Sequence, residues 1–234
     1  MGLPVQKVPE YHCELPLSGL KVKYRPFLVG EQKNLLLLQE SDQQNQIYDA
    51  VQTLIKAVTF GDIKDVGKLP MADLEYLFLQ VRMVSVGETT KLSLTCQEKD
   101  CNGVTEYEMN LQDVQVDTSK VPDNKIELSE DLGVIMRYPT ADLQRFVGDD
   151  SNETFINILK SSIVEIYDAE EVYKTIDYAD REMDEFLSSL TIQQVETIGE
   201  FLNNVPPLSH MLDWNCSKCG AKNSIMLKGL ENFF

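Results

Sequence analysis

Histidine is the scarcest chemistry-bearing residue of this chain, with two in 234 residues. Acid–base and triad catalysis draw on histidine more than on any other side chain, so the sequence has little material for either. A Gly-x-Ser-x-Gly elbow is absent, and so is His-Glu-x-x-His. The stretch Gly61-Asp62-Ile63-Lys64-Asp65-Val66-Gly67-Lys68-Leu69 has one residue too many between its glycines for a phosphate loop, and it puts Leu69 where a magnesium-binding Ser or Thr belongs. Acidic clusters such as Asp149-Asp150 and Asp168-Ala169-Glu170-Glu171 lack calcium-loop spacing and read as solvated loops. The expectation is a protein that is not an enzyme.

Positive charge is also scarce: 21 basic residues stand against 38 acidic ones, a net charge of −17. Binding to nucleic acid rests on Lys and Arg displacing counterions, so no nucleic-acid partner is expected. Acidity of this kind keeps a protein soluble, and it also suits a basic partner surface. No apolar run reaches the roughly 18 residues that a membrane-spanning helix needs, so no membrane partner is expected either. Met1-Gly2-Leu3-Pro4-Val5-Gln6 lacks a basic and then apolar signal region, and Gln6 breaks the myristoylation pattern. A soluble intracellular protein is expected.

What remains is an ordinary globular composition, 43% hydrophobic and 8% aromatic, enough for a packed core. Two halves of the chain, 1–118 and 119–234, carry similar elements in one order, at an offset of about 110 to 120 residues. Leu17-Ser18-Gly19-Leu20 before Val22-Lys23-Tyr24-Arg25-Pro26 matches Leu128 to Leu132 before Val134-Ile135-Met136-Arg137-Tyr138-Pro139, each a turn and a short strand ending near proline. Ile47, Val51, Leu54, Ile55 and Val58 line one helical face, with a capping box at Ser41 and Gln44; Phe155, Leu159, Ile163 and Ile166 are the counterpart. A further helix carries Leu74, Leu77, Phe78 and Val81, between Pro70 and Gly87. Its counterpart carries Val195, Ile198 and Leu202 between a Thr191/Gln194 capping box and Pro206-Pro207. The second half has an extra helical stretch, Met183 to Leu190. The expected class is α+β, as two diverged repeats.

Each half closes on an alternating strand, a cysteine pair and a second alternating strand. Lys91 to Cys96, Cys101 and Val104 to Leu111 form the first such unit; Met211 to Cys216, Cys219-Gly220 and Ser224 to Leu227 form the second. Gly103 and Gly220 follow the last cysteine of each pair, where a tight turn favours positive φ. Cys216-x-x-Cys219-Gly220 is a metal knuckle, and the looser Cys96-x-x-x-x-Cys101 still has structural-zinc spacing. Two hairpins giving two sulfurs each complete a tetrahedral Cys96, Cys101, Cys216, Cys219 site of zinc-ribbon type, joining the first half to the second. Four thiolates leave no open position, so the zinc would be structural. Binding of zinc to finger peptides is worth about 10–16 kcal/mol, more than a typical domain's net stability. Two other readings stay open: reduced pairs without metal, and redox chemistry, which wants a helix N-terminus rather than a hairpin under the cysteines. His12 and His210 are read as ordinary turn or surface residues, and Cys13 as a small buried hydrophobe.

Several of these stretches carry a resemblance. Leu15-Pro16-Leu17-Ser18-Gly19-Leu20, Leu77 to Glu88 with Arg82-Met83-Val84-Ser85-Val86-Gly87-Glu88, Pro206-Pro207-Leu208, and the closing Lys228-Gly229-Leu230-Glu231-Asn232-Phe233-Phe234 resemble the baseplate hub family of T-even-type bacteriophages. That family includes a hub subunit and a hub assembly catalyst. The resemblance implies a protein of the tail baseplate hub, staying in it or leaving after assembly, without bond-making catalysis. It implies other hub proteins as partners, self-association as a further option, and a place in the infected host cytoplasm and the virion tail. Phe233 and Phe234 have two readings, an anchor in a partner groove or core folded over the cysteine hairpin. The alternative function is a zinc-ribbon adaptor contacting nucleic acid or a polymerase, which calls for more basic residues than Lys99, Lys218, Lys222 and Lys228.

Overall fold

The computed structural model describes residues 7–33, 44–146 and 151–229; Ser41, Asp149-Asp150, Phe233 and Phe234 fall outside them. In chain order the strands are β1 (Tyr11–Glu14), β2 (Lys21–Tyr24), β3 (Thr89–Thr95), β4 (Val104–Asn110), β5 (Gln115–Val116), β6 (Lys125–Glu127), β7 (Gly133–Met136), β8 (Ile163–Tyr167), β9 (Val172–Lys174), β10 (Leu208–Asn215) and β11 (Lys222–Lys228). Residues 29–33 are helical, and the labelled helices are α1 (Gln44–Val58), α2 (Met71–Val86), α3 (Ser151–Ser162), α4 (Asp180–Ser189) and α5 (Ile192–Asn204). The class is α+β, as expected.

Two compact units result: Met1–Val66 with Ala72–Asp117 and Pro207–Phe234, and Gly67–Met71 with Thr118–Pro206. The chain thus leaves the first unit near residue 118 and returns to it for the last hairpin, which shares a core with elements of the first half. Leu208, Leu212, Trp214 and Leu227 from β10 and β11 pack with Ala72 and Leu79 of α2, Leu94 of β3, Met109 of β4 and Val116 of β5. Each fully buried Leu in such a core contributes about 1.5–3 kcal/mol. Strand β5 adds only two residues, yet it pairs with β10 through Leu208↔Val116 and Ser209↔Gln115. Helix α2 buries Leu74, Leu77, Phe78, Leu79 and Val81 together with Asp73 and Glu75, so it runs through this unit rather than along its surface. Its first-turn carboxylate Asp73 accepts the backbone N–H groups of Leu17 and Ser18 at 2.8 and 2.9 Å, which fixes the β1–β2 turn. Gly87, at φ +137°, stops the helix.

Arg25, just after β2, forks onto Glu31 at 2.8 and 2.9 Å, and Glu31 also accepts Leu28 N–H at 2.7 Å. The hydrogen bonds from Arg25 hold the Glu31 carboxyl below the usual glutamate range. A depressed folded-state pKa stabilises fully above the unfolded value of about 4.3 and is lost as pH falls through the folded one. Glu31→Gln is therefore expected to cost on the order of 1 kcal/mol at pH 7. The gap to the unmutated chain shrinks toward pH 3, which melting curves across pH will show.

In the second unit, β6, β7, β8 and β9 form one antiparallel sheet in that order. Val134, Met136, Leu159, Ile163, Ile198 and Phe201 make its core with Met183 and Leu187. Residues 67–71 belong here because Met71 N–H donates to Pro139 O at 2.9 Å and Ala141 N–H to Leu69 O at 3.1 Å. The expected helix through Ile163 and Ile166 is corrected: α3 ends at Ser162 and those isoleucines lie on β8. The run Ile163-Val164-Glu165-Ile166-Tyr167 is β-branched and aromatic, and partners on both sides recruit it to the sheet. The Thr191/Gln194 capping box forms, with Gln194 N–H on Thr191 Oγ1 at 3.3 Å and Thr191 N–H on Gln194 Oε1 at 2.9 Å.

Gly133 of β7 sits opposite Tyr167 of β8, whose ring folds across it. A Cβ at Gly133 would lie 2.1 Å from Tyr167 Oη and 2.7 Å from Ile126 O. Gly133→Ala is expected to cost about 1–3 kcal/mol through this overpacking, read as a lowered denaturant midpoint.

One local detail recurs in both units. Arg25 N–H donates to the carbonyl of Val58, the last residue of α1, at 3.1 Å, and its guanidinium to Ala57 O at 3.5 Å. Arg137 N–H donates to the carbonyl of Ser162, the last residue of α3, at 2.7 Å, and its guanidinium to Ser161 O at 2.7 Å. In each case an arginine leaving a hairpin satisfies two orphan carbonyls at the end of a later helix.

Candidate metal centre

Hairpins β3–β4 and β10–β11 are both antiparallel, with seven paired positions each, and both turn at a cysteine pair. Alternation puts Leu94, Met109, Leu212, Trp214 and Leu227 inward, so both hairpins are held on the same core and their tips meet. All four expected sulfurs come together there: Cys96, Cys101, Cys216 and Cys219 present Sγ atoms within 4.8 Å of one another. Cys96 Sγ lies 3.7 Å from Cys219 Sγ, and Cys101 Sγ lies 3.7 Å from Cys216 Sγ. A tetrahedral ion bound at about 2.3 Å to each sulfur requires sulfurs about 3.8 Å apart, so the set fits such an ion. The separations are far beyond the roughly 2.05 Å of a disulfide bond. Cys96, Cys101 and Cys216 are buried, and Cys219 is exposed.

The protein around the sulfurs favours negative charge on one of them and disfavours it on Cys96 and Cys101. Backbone N–H groups of Cys219 and Lys218 pull the Cys216 thiol down to about 6. Cys101 is pushed up to about 12, first by its hydrogen bond with Cys219 and then by burial, while Gly103 N–H works the other way. Four sulfurs this close cannot all ionise alone, since each thiolate raises the next. A cation bound among them would lift that limit.

Polar bonds lace the tips together beyond the sulfurs. Gln97 N–H donates to Asn223 Oδ1 at 2.7 Å, and Gln97 Nε2 to Ser224 O at 3.0 Å. Ser217 donates its N–H to Thr105 Oγ1 and its hydroxyl to Val104 O, each at 3.0 Å. Lys218 Nζ reaches Cys101 O at 2.7 Å, bringing an ammonium toward a site that four thiolates and one divalent ion would leave doubly negative. Sequence reasoning missed these residues; the one signal was Asn223, a polar side chain on an inward, buried position of β11.

Gly103 is explained differently than expected. Positive φ falls on Asp100 and Asn102, at 66° and 46°, and on Gly220 at 73°, but not on Gly103. Gly103 is needed for room: a Cβ there would lie 2.7 Å from Cys216 Sγ, 2.9 Å from Lys218 Cβ and 3.2 Å from Cys101 Sγ. Neither histidine joins the sulfur cluster; His210 Nδ1 instead lies 3.2 Å from Asp113 O. Cys13, half-buried on β1, has its thiol pushed up to about 11 by burial and then by Asp73, as suits a packing residue.

Among the described residues no helix is long and apolar enough to cross a membrane. No curated protein and no solved structure matches the chain. A family model described as T4 bacteriophage base plate protein matches residues 8–234, which include both hairpins and all four clustered cysteines. The chain therefore belongs to the T4 bacteriophage base plate protein family.

Proposed function

We propose that this protein is a non-enzymatic component of the tail baseplate hub that works by docking onto other hub proteins, with a structural zinc ion in its four-cysteine site. The observation that carries this reading is a whole-chain baseplate family match on a molecule whose most organised polar feature is a closed sulfur cluster. Zinc suits four thiolates in tetrahedral array, and with no donor position left open its task is to hold structure. The ion ties a hairpin of the first half to a hairpin near the chain end, inside one compact unit. An assembly role fits the same picture: a rigid, acidic body made in the infected host cytoplasm that joins hub proteins and takes its place in the virion tail.

The two halves are diverged copies of one unit. What supports this is the shared order of hairpin, helix, helix and cysteine hairpin, together with the Arg25 and Arg137 bonds to the ends of α1 and α3. The second copy adds β8, β9 and α4.

The test is native purification from infected cells, with metal content by elemental mass spectrometry and co-purifying proteins by peptide mass spectrometry. One zinc per chain and baseplate hub proteins in the eluate are expected. A metal-free chain that elutes without any baseplate protein contradicts the proposal. Sedimentation of the purified chain reads out self-association.

A further inference from the structure

In the second unit an open groove of about 370 Å³ runs between α4 and the face of the sheet carrying β8 and β9. Ile166, Tyr173, Tyr178, Met183 and Phe186 form its walls. Ile166, Tyr173 and Phe186 are only half-buried, and Tyr178 is 42% exposed, so the chain leaves this apolar slot unfilled. Apolar side chains grouped this way mark contact surfaces, whereas single exposed ones do not.

The slot is firm. Tyr173 donates its hydroxyl to Asp168 Oδ2 at 2.8 Å and meets Tyr178 edge-on, ring centroids 6.4 Å apart. Asp168 is itself held by the N–H groups of Glu170 and Glu171, both at 2.8 Å. Its rim is negative: Glu182 and Glu185 line the groove, and residues 168–185 carry eight carboxylates against Lys174, Arg181 and Lys160, the last paired with Asp180 and Asp184 at 3.0 and 2.9 Å. Arg181 bonds Glu185 at 2.9 Å, but these side chains are 88% and 64% exposed, so water and salt screen the pair and the field stays acidic.

We propose that this groove binds a segment of a partner protein in which an aromatic or other large apolar side chain is flanked by lysine or arginine. The apolar residue fills the slot against Tyr173, Tyr178 and Phe186. The flanking cations meet the rim carboxylates, which steer the encounter and reject acidic segments. One anchor plus screened charges gives a weak, micromolar contact, suited to a site that acts together with others in an assembly. The inference rests on the reading of the chain as a protein that works through protein contacts, but the two fail separately: hub proteins can co-purify through other surfaces while this groove stays empty.

The probe is a fluorescein-labelled peptide of sequence Lys-Phe-Lys-Leu-Lys-Phe-Lys, titrated with the full chain by fluorescence anisotropy. Saturable binding is expected, weakened about tenfold by Glu185→Lys and by Tyr178→Ala, and weakened again by added salt. Serine in place of both phenylalanines is expected to weaken it by at least as much. Glu185→Lys lies on an exposed turn of α4, so its melting temperature stays unchanged and separates docking from folding. Equal binding of the serine peptide, or of both variants and the unmutated chain, overturns the proposal, as does a peptide with Glu for Lys that binds as tightly.

Discussion

Stripping metal from the four-cysteine site is expected to lower the melting temperature by about 10 °C, a fall as large as the loss of a well-packed core leucine gives. A Leu→Ala change in a well-packed core costs about 2–5 kcal/mol, and 1 kcal/mol moves the midpoint of a chain this size by about 2–4 °C. Zinc bound by finger peptides contributes about 10–16 kcal/mol. Only part of that is at stake here, because the two hairpins already share the core of Leu94, Met109, Leu212 and Trp214 and the polar bonds at their tips. What a bound ion would add is compensation of the charge that four clustered thiolates carry. Cys216→Ser is expected to have the same effect as chelation, and it cannot be rescued by added zinc, whereas the stripped unmutated chain can. Cys13→Ser leaves metal content intact, since Cys13 stands outside the cluster. Hydrogen exchange locates the change: the amides of Gln97 and Ser217, whose bonds cross between the hairpins, lose protection first. Unchanged melting and exchange after chelation would mean that the sulfurs hold nothing.

Gly103→Ala is the second large effect. A methyl group placed 2.7 Å from Cys216 Sγ and 3.2 Å from Cys101 Sγ must push two of the clustered sulfurs apart or displace the Lys218 stem, 2.9 Å away. Changes just behind the ligands typically weaken metal affinity by about 10–100-fold, and this one touches the ligands themselves. Competition with a chromophoric chelator measures the shift. Gly220→Ala is the control: nothing lies within 4 Å of a Cβ there, although its φ of +73° makes the substituted backbone less stable by roughly 1 kcal/mol. Gly220→Ala is therefore expected to lose stability while keeping its metal affinity, and Gly103→Ala to lose affinity. Equal affinities in the two variants remove the steric account of Gly103.

The sulfur site was legible because its signal is local. Cys216-x-x-Cys219-Gly220 and Cys96-x-x-x-x-Cys101 each sit between strands whose period-two pattern shows in sequence, and alternation also indicates which faces turn inward. The Thr191/Gln194 box was legible for the same reason, both partners lying within one turn. Long-range pairing left weaker traces. One-turn spacing of apolar residues does not mark where a helix stops. Leu159 lies on α3, whereas Ile163 and Ile166 lie on a strand whose partners Met136 and Val134 are distant in the chain. An inward face does not name the core it joins, so the docking of β10–β11 on α2 and β5 had no sequence signature. Gln97, Thr105 and Ser217 at hairpin tips look like ordinary turn residues until the opposite tip is in place. Gly103 and Gly220 occupy like positions in sequence, yet one is there for space and the other for its dihedral.

X-ray absorption at the zinc edge of the natively purified protein reads the centre most directly. Four sulfur neighbours at about 2.3 Å are predicted, with no nitrogen or oxygen in the shell. That shell collapses to fewer sulfurs when any one of Cys96, Cys101, Cys216 or Cys219 becomes serine. A shell dominated by nitrogen or oxygen, or one untouched by those substitutions, contradicts a single ion held between the two hairpins.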